Sequence, residues 1–128
     1  MHISIVKVTG LLAMTGQERE VLYYRLRSGE CPFREWRDGL KDAETKAAID
    51  ARIARLRAGN PGDSKPIGAG ASESRIDFGP GFRIYYGVSG IQIILLCGGN
   101  KGTQHRDIKR AKSFWLDYKE RSRTREKE

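Results

Sequence analysis

Cysteine and histidine are the scarcest chemistry-bearing residues of this chain, with two of each. Cys31 and Cys97 stand far apart and neither belongs to a C-x-x-C pair, so with His2 and His105 no zinc-binding spacing can be assembled. So few cysteines read as a reduced, intracellular protein. Long apolar runs are missing as well. Nothing approaches the roughly 20 residues a membrane helix needs, and the opening "MHISIVKVTGLLAM" carries Lys7 within its apolar stretch and no signal-peptide cleavage pattern. A cytoplasmic protein with no membrane partner is expected. Acidic residues are also in deficit: 16 Asp and Glu against 24 Lys and Arg leave a net charge of +8. A pI near 9.8 favours polyanionic partners over acidic or neutral small substrates. The bias is uneven, since Lys101 to Glu128 holds ten basic and five acidic residues, a net +5.

What is present suits one soluble α+β domain: 128 residues, 38% hydrophobic and 31% charged. Residues 1–18 are set aside as an extension, either partly ordered through the strand-like "HISIVKV" or upstream of a start at Met14. The domain is expected over 19–121, and 122–128 form a charged tail without apolar residues that should fray. "VLYYRLR", Val21 to Arg27, alternates as a half-buried strand does. Pro32 suits the first position of a short helix with Phe33, Trp36 and Leu40 on one stripe. A second helix places Ile49, Ile53 and Leu56 together, turns Asp50, Arg52, Arg55 and Arg57 outward and stops at Gly59. The two read as an N-terminal helical hairpin. Asn60 to Ser72, with two prolines and three glycines, reads as a surface loop.

"ESRIDF", "FRIYYGV" and "IQIILLC" follow with connections short enough for an antiparallel meander. Pairing Phe78 with Phe82 sets Asp77 opposite Arg83, Ile76 opposite Ile84 and Arg75 opposite Tyr85. Ile76, Phe78, Phe82, Ile84 and Tyr86 then share one face, and Arg75, Asp77, Arg83 and Tyr85 the other. A two-residue second turn sets Val88 against Ile91 and Arg83 against Leu96. The last strand, apolar on both faces, ends in Gly98, Gly99, Asn100 and Lys101 near Arg83. Thr103 can cap a C-terminal helix whose open amides would suit phosphate, with Ile108, Ala111 and Trp115 turned to the core.

The blocks "FREW...L", "ARIARLRAGNPGDSKPIGAGASESRIDFGPGFRIYY" and "IILLCGGNKGTQHRDIKRA", in that order, resemble the RelE/ParE superfamily of bacterial toxins, within it the HigB-like addiction-module killer proteins. The likeness spans about three quarters of the chain, from Glu20 to Trp115. It implies an antiparallel sheet packed by two N-terminal helices and a C-terminal helix. It also implies the toxin of a type II toxin–antitoxin system. Its partners would be a cognate antitoxin of helix-turn-helix, HigA-like type, ribosome-bound mRNA, and operator DNA only through the antitoxin complex. RelE-like and HigB-like members are mRNA interferases: they cleave ribosome-bound mRNA without metal or other cofactor, using the RNA's 2′-OH as nucleophile, and so inhibit translation. ParE-like members share the fold, act on DNA gyrase and cut no RNA, and a degenerate toxin would survive only as an antitoxin partner.

Cleavage of RNA needs a base near the 2′-OH, cations for the phosphorane and an acid for the departing 5′-oxygen. Arg83 matches the arginine of the family's G-Y-R-x-x-Y block, here "GFRIYY", and is the leading phosphate ligand, against a structural pair with Asp77. Lys101, in "GGNKG", follows the family's glycine-lysine at the end of the last strand and would either stabilise charge or, flanked by Arg83 and Arg75, act as a base. Arg75 and Tyr85 share the polar face, with Tyr85 either stacking on a base or packing. His105 is a candidate acid or base at the helix start, while Asp107 there favours the helix dipole. Lys65, Gln104, Arg106, Lys109 and Arg110 are candidate substrate-binding residues. The acid and the base stay open between these groups.

Overall fold

The computed structural model describes residues 18–127, and the proposed N-terminal extension, including the strand-like "HISIVKV", lies outside them apart from Glu18. β1 (Glu20–Tyr23) is followed by α1 (Pro32–Gly39) and α2 (Ala43–Arg57). Then come β2 (Ser64–Gly68), β3 (Ala71–Ile76), β4 (Phe82–Ser89) and β5 (Gln92–Asn100), a 3₁₀ turn at Lys101–Thr103, and α3 (Gln104–Lys127). The fold is α+β, with one five-stranded sheet in the order β1-β5-β4-β3-β2. Every pairing is antiparallel except β1 with β5, which is parallel. Among the described residues no helix is long and apolar enough to cross a membrane.

Local signals account for most elements. Pro32 opens α1 as expected, and α2 is capped by Asp42, whose side chain accepts from the Thr45 backbone N–H and hydroxyl at 3.2 and 2.9 Å. Apolar spacing then seats Phe33, Ile49 and Leu56 on the sheet face that carries Ile76, Phe82, Ile84, Tyr86, Ile93 and Leu95. α3 covers the opposite face with Ala111 and Trp115 against Tyr24, Tyr85, Ile94, Leu96 and Cys97. Each layer lays a tryptophan over a glycine of a central strand, Trp36 on Gly98 and Trp115 on Gly87, where a strand side chain would collide with the ring.

Several expectations need correction. The helices do not form a close hairpin, because α1 lies mainly against β5 and touches α2 little. The stretch expected to be a loop contains β2, which tolerates Pro66 because it is the sheet edge. Its two-residue turn to β3 has positive φ at Ala69 and Gly70, the I′ form that fits a twisted hairpin. Arg52 faces the sheet and donates to the Ser74 hydroxyl at 2.7 Å and the Arg75 carbonyl at 2.6 Å. α3 runs on to Lys127 beyond the expected fraying point. Pairs such as Arg121 with Asp117, one turn apart, support its exposed end.

Register also differs. β3 and β4 pair Arg75 with Arg83, Ile76 with Phe82 and Glu73 with Tyr85, two residues away from the expected register. Between β4 and β5 Ser89 faces Gln92, and an irregularity after Tyr85 brings Cys97 opposite Tyr85 and Gly99 opposite Arg83. Leu96 is the extra residue of this bulge, so Leu96 and Cys97 both pack toward α3. A shift of two preserves which residues share a face, so the face assignments survive while the partners change.

Candidate functional site

At the Lys101 end of the central strands the polar face forms a shallow cleft of about 270 Å³, lined by Asp63, Arg75, Ile76, Asp77, Gly81, Arg83 and Lys101. β3 and β4 supply Arg75 and Arg83 as directly opposed residues. Lys101 arrives from β5, its backbone N–H donating to the Gly81 carbonyl at 2.8 Å and so fastening the strand end to the β3–β4 connection. Arg83 is 92% buried by its 8% exposure. Its NH1 donates to the Phe82 carbonyl at 3.3 Å, while its buried Nε has no hydrogen-bond partner. Leaving such a donor unsatisfied is costly, which marks this atom as one that needs an acceptor.

Behind the arginines sits Glu73, fully buried. Its Oε1 accepts from Arg75 Nε at 3.0 Å, and its Oε2 accepts from the Tyr85 hydroxyl at 3.0 Å and Gln104 Nε2 at 2.8 Å. Oε2 also lies 3.9 Å from Arg83 Nε, an ion-pair distance too long for a hydrogen bond. Burial alone would raise the Glu73 carboxyl. Hydrogen bonds from Gln104, Arg75 and Tyr85 and the Arg75 charge outweigh it and hold the group below its ordinary value. Glu73 is therefore anionic at neutral pH. Burial, then the Glu73 charge, pushes the Tyr85 hydroxyl well above the usual phenol range.

A second buried carboxylate, Asp107, closes the start of α3. It accepts from the Thr103 hydroxyl and from Arg106 and Arg110. Gly99 makes room for it, since a Cβ there would strike the Asp107 carboxylate. Asn100, rather than Thr103, caps this end: its side chain accepts from the Gly102 and Thr103 amides at 2.8 and 3.2 Å, and Thr103 Oγ1 accepts from the Asn100 N–H. The amides of the 3₁₀ turn that leads into α3 are thus taken up from within the chain.

Of the sequence candidates, Arg75, Arg83 and Lys101 meet in the cleft. Tyr85 and Gln104 stand behind them on Glu73; Tyr85 is wholly buried and offers no ring face for stacking. Asp77 lies past the end of β3, exposed, and the expected pair with Arg83 is replaced by Glu73. Arg106 and Arg110 turn toward Asp107, while His105 and Lys109 are exposed on α3 and line no part of the cleft. Lys65 is exposed on β2, opposite Glu73 in register. Sequence reasoning missed Glu73 and Arg52. The alternation Glu73, Arg75, Asp77 did hold a signal for the former.

An uncharacterized protein of Haemophilus influenzae is 51% identical over 81 residues, which cover 62% of this chain and 82% of that protein. The chain belongs to that protein's family. No family model matches the chain, and no solved structure matches it.

Proposed function

We propose that this protein is the toxin of a type II toxin–antitoxin pair and an endoribonuclease that cuts mRNA on the ribosome. The reading is carried by the meeting of Arg83, a nearly buried guanidinium, with Arg75 and Lys101 in the lining of one cleft. Three cations at one strand end suit a single phosphate group of a polyanion, and arginine's planar fork suits it best. The resemblance to HigB-like killer proteins supplies the reaction class. In that reaction the 2′-OH attacks the adjacent phosphorus and gives its proton to a base. The bond to the 5′-oxygen breaks, that oxygen takes up a proton, and a 2′,3′-cyclic phosphate and a 5′-hydroxyl remain. Arg83, Arg75 and Lys101 would stabilise charge on the phosphorane, a role in which losing one donor costs about 10²–10³ in rate. The cognate antitoxin, a helix-turn-helix partner, would block or distort this surface.

The test is to induce the protein and its Arg83→Ala variant in bacterial cells and map new 5′ ends across mRNA, with DNA supercoiling read in parallel. In-frame cuts that vanish with Arg83 support the nuclease. Growth arrest without cuts but with gyrase-linked DNA breaks would replace it with a ParE-like reading.

A further inference from the structure

We infer that Glu73 is a positioning residue of the cleft, its buried carboxylate holding Arg75 and Arg83 side by side so that both guanidinium groups meet one phosphate. The inference rests on the phosphate-cleft reading above. Arg75 and Arg83 are opposed on neighbouring antiparallel strands, a placement in which like charges repel. Glu73 supplies the counter-charge from within the sheet, at 3.0 Å from one Nε and 3.9 Å from the other.

Its own position is over-determined. The Tyr85 hydroxyl from β4 and the Gln104 amide from α3 both donate to Oε2, so the carboxylate is gripped from two elements besides its own. Arg52, from the opposite layer, holds the Arg75 carbonyl and steadies the strand itself. The manner of contact matters as much as the charge. Glu73 takes Arg75 through Nε, and among the described residues no hydrogen bond engages the terminal nitrogens of Arg75 or NH2 of Arg83. A carboxylate paired to the ends of the forks would occupy the donors a phosphate needs. This one leaves those of Arg75, and NH2 of Arg83, unengaged in side chains that line the cleft.

The test uses the full chain labelled with ¹⁵N-arginine and titrated with inorganic phosphate while the Nε–H signals of Arg75 and Arg83 are followed. In the unaltered protein both signals should shift along one saturation curve. Glu73→Gln should weaken phosphate binding about tenfold, the scale of a lost charge-assisted bond, and the two signals should cease to move together. Tyr85→Phe keeps the carboxylate and the shape of the core, and should weaken binding by about two- to fivefold through the loss of one neutral hydrogen bond. Unchanged affinity and coupled signals in Glu73→Gln overturn the inference, as does an unchanged Tyr85→Phe if the glutamine variant does not fold. If neither arginine of the unaltered protein responds to phosphate, the cleft reading itself falls and this inference with it.

Discussion

Arg75 and Arg83 stand directly opposite each other on β3 and β4, with Glu73, two residues before Arg75, buried behind them. Two like charges face each other across a strand pair because a third group between the layers neutralises them. Both side chains then line a cleft that Lys101 closes from the next strand.

Arginine geometry at position 83 should matter beyond charge. Arg83→Lys keeps the cation but loses the Nε donor and the planar fork, so cleavage by purified protein on programmed ribosomes is expected to fall at least about tenfold. Equal rates for the two proteins would remove Arg83 from the chemistry.

Stability should depend on pH through Glu73. The folded group titrates below its ordinary 4.5, so its contribution is complete above that value and is lost as pH falls through the folded value. Urea unfolding of the unaltered protein and of Glu73→Gln should therefore differ most near neutral pH and converge as the solution becomes more acidic than about pH 4.5. A gap independent of pH would contradict this.

Gly99 has a packing role that substitution should expose. A methyl group there would strike the Asp107 carboxylate and Thr103 Oγ1, so Gly99→Ala is expected to destabilise by about 1–3 kcal/mol, as overpacking does. Thermal denaturation would measure it, and Gly90→Ala makes a comparison in which strain rather than collision acts, since nothing stands near that position.

Capping of α2 is separable from the site. Asp42→Ala removes the acceptor for two Thr45 donors and should cost about 1 kcal/mol in denaturant unfolding. Phosphate binding at the cleft should not change.

Cys97 should be inert in the folded protein. Burial pushes its thiol up to about 12, so a thiol reagent at neutral pH should label it only as the chain unfolds. Prompt labelling of the native protein at Cys97 would show that α3 opens readily.

Much of the candidate site is legible because alternation is local. Arg75, Arg83 and Tyr85 belong to one face in both the expected and the observed register, since a shift of two residues leaves every side chain on its own side. Lys101 likewise follows from the end of the apolar run Ile91 to Cys97. Arg83's partner is a different kind of fact. Turn length alone pairs Asp77 with Arg83, but it does not fix the register, and the bulge at Leu96 has no distinctive local residue.

The sequence by itself determined the basic balance, the helical and strand periods, and the set of cations at the end of the sheet. These depend on composition and on neighbours within a few positions. Only the tertiary structure decided that Glu73 and Asp107, two carboxylates among many, are the buried ones, because burial needs α3 to fold back over strands distant in sequence. The same packing turned Tyr85 from a surface aromatic into an internal donor and recruited Pro66 into an edge strand. Pairing and desolvation are non-local, and the arrangement of the cleft depends on both.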